Sequence, residues 1–272
     1  MTPKPRRKRQ SNLEMSDWKH QDLAAEDSTA HIYDYLYNRI RFAKSMYADF
    51  ASEVDRIAKS DQHVLEIGCG TGTVTSLIRS GVTKYGFDIS SNMLAVAKGK
   101  IKEAQFIQGD MDYLPYSDHV FDIIAAHSTL HHFPALDMLL GEVRRVLKPG
   151  GYLLIQEPNE RDFRKAFFIR ALAFGLRKIG LKRYPNVEHL EVKPSDHHAP
   201  LPIKKLTAAL YAAGFQIEKE KLRYFSSSML SMFDNALTHR LGRALDPYYI
   251  RKYDQGYMYL VIAMTPSYQN TI

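Results

Sequence analysis

The sequence is poor in cysteine, in long apolar runs and in any charge excess spread over its body. Its 272 residues include one thiol, Cys69, and one tryptophan. A single thiol cannot close a disulfide within the chain, so packing must hold the fold, which suits a reducing compartment and a cytoplasmic setting. No apolar run approaches the roughly 20 residues a helix needs to cross a bilayer, which excludes a helical span. The basic start of the chain has no apolar h-region, so it does not read as a secretory signal. Internal repeats are absent. The net charge of +7 is unevenly placed: residues 1–10 carry five basic groups and no acid, residues 161–183 carry eight basic groups and one acid, and the remainder is net −5. Basicity belongs to a tail and one insert, and a body built to grip nucleic acid is disfavoured.

What is present centres on Val64-Leu65-Glu66-Ile67-Gly68-Cys69-Gly70-Thr71-Gly72. Four residues read as a buried strand, and glycines at every second position and an apolar-periodic run then predict a tight turn and a helix start. Such glycines admit positive φ and let a ligand lie against bare main chain. The spacing is G-x-G-x-G with Thr73 next, so it departs from the dinucleotide fingerprint G-x-G-x-x-G. Around this turn the pattern alternates. Strands are expected at 63–67, 84–87, 105–108, 120–126 and 152–157, with helices at 72–80, 91–101 and 134–147. Alternation of this kind predicts an α/β, Rossmann-like doubly wound sheet with ligands at the carboxyl ends of its strands. Ahead of it, residues 29–58 predict an aromatic amphipathic helix on Ile32, Leu36, Ile40, Ala43, Tyr47, Phe50, Val54 and Ile57, with Asp27 or Ser28 as cap. Beyond it, residues 158–200 are too long for an ordinary connection and predict a cap insert. A helix at 203–213, a strand at 215–222, a helix at 229–245 and a strand at 257–264 complete the domain, which is expected to span 17–272 after a basic, solvated tail at 1–16.

Several residues carry candidate chemistry. Asp88 ends the second strand, where a carboxylate can take both bonds from a ribose diol or cap the helix at Ser90 or Ser91. Asp110 follows Gly109 in the turn after the third strand and would serve equally as an Asx-turn residue. His127 ends the fourth strand, and its unperturbed pKa suits base work near neutrality. Glu188, His189, Glu191, Asp196, His197 and His198 cluster in the insert, but irregular spacing favours a solvated or substrate-lining loop over a metal site.

Glu66–Gly72, Gly86-Phe87-Asp88-Ile89-Ser90, Gly109-Asp110-Met111, Leu130-His131-His132-Phe133 and Arg145–Gly151 together resemble the motifs of the class I S-adenosylmethionine-dependent methyltransferases. The resemblance spans residues 60–157 and is nearest to the group of quinone-biosynthesis and other small-molecule methyltransferases. It implies a seven-stranded sheet whose last strand is antiparallel, with S-adenosylmethionine as cofactor. It places Glu66 at the methionine end of that donor, Gly68, Cys69 and Gly70 along it, Ile89 on the adenine face, Asp110 on the adenine amino group and the Met111 N–H on a ring nitrogen. His127 would touch the donor or act as base. No Asn-Pro-Pro-Tyr follows the fourth strand and no Pro-Cys nucleophile exists, unlike in nucleic-acid methyltransferases.

The expected activity is methyl transfer to a small, apolar or lipid-like acceptor. An RNA or protein methyltransferase, or a SAM-binding module without catalysis, remain alternatives. Phe163, Phe167, Phe168, Phe174, Met229, Met232, Phe233, Tyr33 and Tyr37 would line an apolar pocket. Basic groups flanking the insert would rest on an anionic membrane surface. No metal is expected.

Overall fold

The computed structural model describes residues 40–79, 81–159, 200–231 and 236–267, together with Lys19, Leu23, Asp27 and Ala30. The tail, the insert and its acidic–histidine cluster, Tyr33, Tyr37, Met232 and Phe233 lie outside the described residues.

The chain runs α1 (Arg41–Ile57), β1 (His63–Ile67), α2 (Thr73–Leu77), β2 (Thr83–Asp88), α3 (Ser91–Lys100), β3 (Ala104–Gln108), β4 (Phe121–His127), α4 (Asp137–Val146), β5 (Leu147–Pro158), α5 (Ile203–Ala212), β6 (Gln216–Arg223), α6 (Ser226–Leu230), α7 (Ala236–Tyr253) and β7 (Met258–Met264). The seven strands form one sheet in the order β3-β2-β1-β4-β5-β7-β6. The pairings among β1 to β5 are parallel, and β7 runs antiparallel to both β5 and β6. This is the architecture expected of the motif order.

Period-two alternation assigns the faces. Leu65, Ile67, Ile124 and Ala126 join one core with Leu139, Leu140 and Val143 of α4 and Leu206 and Leu210 of α5. Val64, Ile123 and Ala125 join a second core with Tyr47, Phe50, Ala51 and Val54 of α1. The central strands are buried on both faces, as parallel sheets require.

The elements differ from expectation in five places. The helix expected over 29–58 is interrupted at Ile40, whose backbone is extended, so α1 starts at Arg41. Helix α2 stops at Leu77 rather than residue 80, because Ile78 is extended. Leu130–His132 forms a 3-10 turn, so α4 starts only at Asp137. β5 begins at Leu147, which pairs with Phe121. The helix expected at 229–245 is two helices, and α7 continues through Pro247 to Tyr253. Its inner face is pinned: Asp246 accepts from Ser226 Oγ (2.9 Å), Ser227 N (2.9 Å) and Ser227 Oγ (2.6 Å). Gly242 lies against Ser227, whose Cα would stand 2.6 Å from any added Cβ.

Candidate functional site

The register brings the motif residues to one level. Ile67 pairs with Phe87 on one side and Ala126 on the other, Asp88 stands opposite Gln108, and His127 opposite Gln156. The loops after β1, β2, β3, β4 and β5 therefore share the carboxyl edge of the sheet. Strand order reverses between β1 and β4, where an open α/β sheet leaves a crevice.

The three glycines all have positive φ, +63° at Gly68, +49° at Gly70 and +75° at Gly72, but for different reasons. A Cβ on Gly68 would lie 2.3 Å from the Thr129 side chain, so this glycine lets the β1 and β4 loops touch. A Cβ on Gly72 would meet Ile101 Cδ1 at 2.7 Å, so this one lets the turn pack on the end of α3. Nothing lies within 4 Å of a Cβ on Gly70, so the space beside it is open.

Asp88 bridges two loops. It accepts from Gly70 N at 2.7 Å and Ser90 N at 2.9 Å, while Ser90 Oγ caps α3 by accepting from Met93 N at 3.1 Å. Burial raises the Asp88 pKa above the ordinary range against the N–H bonds of Ser90, Gly70 and Ile89. Glu66 turns toward α2 and accepts from Thr75 N at 2.7 Å and from Thr75 Oγ1. One N–H at the helix start is thus already taken. Burial pushes the Glu66 pKa up to about 8. Cys69 is buried in the loop and its thiol is pushed well up by the same desolvation, so it is no nucleophile. Ile89 is half-buried beside Asp88, and its carbonyl accepts from Gln108 Nε2 at 3.0 Å. Met111 is buried in the core beneath the turn.

Asp110 forms the Asx turn, accepting from Asp112 N at 3.0 Å. Its carboxylate also receives Lys19 Nζ at 2.7 and 2.6 Å, and the same ammonium reaches Asp112 Oδ2 at 2.5 Å. Asp27, which the sequence suggested as a helix cap, instead accepts from Ser90 Oγ. The N-terminal part of the chain thus touches the loops after both β2 and β3.

His127 is walled by the rings of Tyr47 and Phe50, with centroids 4.8 and 5.3 Å away. Its Nε2 lies 3.0 Å from Gln156 Nε2. Arg223 NH1 donates to Gln156 Oε1 at 2.7 Å, so the amide must turn its NH2 toward the imidazole, whose Nε2 then accepts. Arg223 NH2 continues to Glu53 Oε1 of α1 at 3.1 Å. Burial drives the His127 pKa down to about 4. The next residue, Ser128, takes φ +54°, a strained conformation of the kind that clusters at functional sites.

Glu157 is the residue that sequence reasoning missed. It has no exposed surface and accepts from Thr129 N and Leu130 N, both at 2.7 Å, while Oε2 holds His131 Nδ1 at 2.7 Å. Burial alone would raise its pKa; the His131 bond and charge and the two N–H groups outweigh this and leave it below the ordinary range. Its signal was its position, a carboxylate ending the fifth strand as Asp88 ends the second.

The family model for a methyltransferase domain matches residues 65–155. Demethylmenaquinone methyltransferase of Thermus thermophilus is 31% identical over 209 residues, which cover 71% of this chain and 91% of that protein. Fatty-acid O-methyltransferase of Mycolicibacterium smegmatis is 33% identical over 126 residues, 44% of this chain and 45% of that protein. This chain spans about half the length of that relative and of a probable methyltransferase of Aspergillus luteorubrus. A Thermotoga maritima SAM-dependent methyltransferase, described as a possible histamine N-methyltransferase, has a TM-score of 0.60 at 17% identity, covering 89% of this chain and 98% of that one, and shares the fold.

The two buried glutamates should titrate in opposite directions. Glu66 keeps its proton when folded and loses it when unfolded between pH 4.5 and about 8. Stability should therefore fall through that window as pH rises, and Glu66→Gln should abolish the fall. Glu157 has a lowered pKa, so its contribution is present above the ordinary glutamate value and is lost as pH falls through the lowered one. Glu157→Gln should be less stable at neutral pH, with the gap closing in acid. Urea unfolding across the pH range reads both.

Proposed function

Because this chain belongs to the class I S-adenosylmethionine-dependent methyltransferases, we propose that it moves a methyl group from that donor to a small molecule with a substantial apolar part. The observation that carries the reading is the open space beside Gly70, whose N–H is held by Asp88, at the sheet edge where Glu66 of β1 and the turn of Asp110 after β3 also lie.

The donor supplies a methyl carbon already activated by its bond to a sulfonium. Gly68, Cys69 and Gly70 present bare main chain along it. Asp88 takes the ribose hydroxyls with the lone pairs left beside its two N–H bonds, and Ile89 lies on the adenine face. Asp110 receives the adenine amino group alongside Lys19, and the Met111 N–H meets the ring. Glu66 faces the cationic methionine end, where a nearby ammonium favours its ionised form. His127, held neutral between Tyr47, Phe50 and Gln156, forms the wall of the site. The base role considered for it passes to His131. The lone pair on His127 Nε2 already accepts a hydrogen bond, whereas His131 Nδ1 donates to the buried Glu157 carboxylate, the pairing that orients and supports a general base. If the acceptor must lose a proton, the His131 ring takes it and the Glu157 carboxylate stabilises the resulting imidazolium. Alignment supplies the rest of the rate.

Two named relatives support an apolar acceptor. One is a demethylmenaquinone methyltransferase and the other a fatty-acid O-methyltransferase. Among the described residues no helix is long and apolar enough to cross a membrane.

Asp88→Ala should weaken S-adenosylmethionine binding by ~1–3 kcal/mol in calorimetry, and unchanged affinity would remove Asp88 from the site. His131→Gln should lower kcat by about 100-fold or more with donor affinity intact, while a wild-type rate would rule it out as the base. An acceptor panel of quinols, fatty acids, tRNA and protein, read by mass spectrometry, tests the whole reading. Methylation confined to RNA, protein or small polar metabolites would overturn the apolar acceptor.

A further inference from the structure

Helix α7 has an outer side that neither the fold nor the site accounts for. Its inner side is fastened through Gly242, Asp246 and the stacking of Tyr249 and Tyr253 on Phe225, with centroids 5.8 and 5.4 Å apart. On the opposite side Leu237, Leu241 and Tyr248 are 76%, 49% and 59% exposed. At 3.6 residues per turn these three form one line, and Arg240, Ala244, Arg251 and Lys252 complete an exposed arc of about 120°. The apolar residues occupy the middle of the arc. Arg240 and Arg251 flank one edge and Lys252 the other. The ammonium of Lys252 lies 5.7 Å from the Tyr248 ring centroid and 5.4 Å from that of Tyr253. No acidic residue falls in the arc, since the helix's one carboxylate, Asp246, is buried.

The position of this helix matters as much as its pattern. Helices α6 and α7 join Arg223, the last residue of β6, to Met258, the first of β7, and these two residues pair with each other. The helix therefore rises from the carboxyl edge of the sheet, the edge that carries the site. Arg243 ties it to Asp49 of α1 at 2.5 Å, and Tyr224 Oη binds the same carboxylate at 3.0 Å. An apolar stripe with cations on both flanks is the pattern of a helix lying in a lipid interface. The cations meet lipid phosphates while the apolar side chains enter the headgroup boundary.

We propose that this arc of α7 docks the protein on an anionic bilayer surface, with the carboxyl edge of the sheet turned toward the lipid. The inference rests on the helix face and holds whichever acceptor the site takes. Co-sedimentation of the full chain with phosphatidylglycerol vesicles tests it, with phosphatidylcholine vesicles as the uncharged comparison. The wild type should bind the anionic vesicles more tightly. The combined change Arg240→Glu, Arg251→Glu and Lys252→Glu should lower that binding by about 100-fold or more. Leu237→Ser with Leu241→Ser should lower it by about 10-fold or more. Neither variant should shift the melting temperature or donor affinity, because the changed side chains are exposed. Wild-type binding equal on both lipids would overturn the proposal. So would undiminished binding by the charge-reversed variant, which would place the contact elsewhere on the chain, for instance at the basic residues 1–10. Self-association abolished by the leucine changes, without vesicle binding, would overturn it in favour of a second copy of the chain.

Discussion

The site depends on one carboxylate that has no contact with water. Glu157 draws the Thr129 and Leu130 N–H groups and the His131 ring onto the end of β5. Held there, the Thr129 side chain fills the space above Gly68, so the loops after β1 and β4 close against each other. This contact sets how far the crevice opens and leaves Gly70 as the glycine with room beside it. A buried charge is tolerated only when its desolvation is compensated, and Glu157 accepts hydrogen bonds from Thr129 N, Leu130 N and His131 Nδ1.

Glu66 shows what happens without such compensation. It is buried like Glu157 but accepts two bonds, both from Thr75, where Glu157 accepts three, and the charge acting on it is that of Asp88. Desolvation and the like charge push its pKa to about 8, while Glu157 beside His131 goes below the ordinary range. Two glutamates at the same edge of one sheet are thus set in different protonation states by their neighbours. A cationic ligand group would tip the first and leave the second unchanged.

Helix α1 couples the rim to the site. Glu53 binds Arg223, Arg223 orients Gln156, and Gln156 donates to His127, while Tyr47 and Phe50 of the same helix wall the imidazole. Asp49, one turn earlier, holds both Tyr224 and Arg243 of α7. The helix that carries the exposed basic–apolar arc and the histidine at the end of β4 are therefore braced by the same element.

Local pattern alone determined much of this protein. Alternating apolar runs specified the strands, since period two buries one set of side chains on each face. The five ordered motifs specified the sheet and its glycine turn, and carboxyl-end geometry placed Asp88, Asp110 and His127 at a common edge. Boundaries failed where tertiary contacts outweigh propensity, as at Pro247, where α7 continues while anchored on Ser226 and Ser227. Tertiary structure alone decided which glycine faces open space and which packs against Thr129 or Ile101, because a positive φ looks the same in sequence whatever lies beside it. It also gave two histidines at the same edge different partners. His127 and His131 are four residues apart and chemically identical, but one faces an amide donor and the other a carboxylate. Those partners come from Gln156 and Glu157 on a neighbouring strand, and only the pairing of β4 with β5 brings them together.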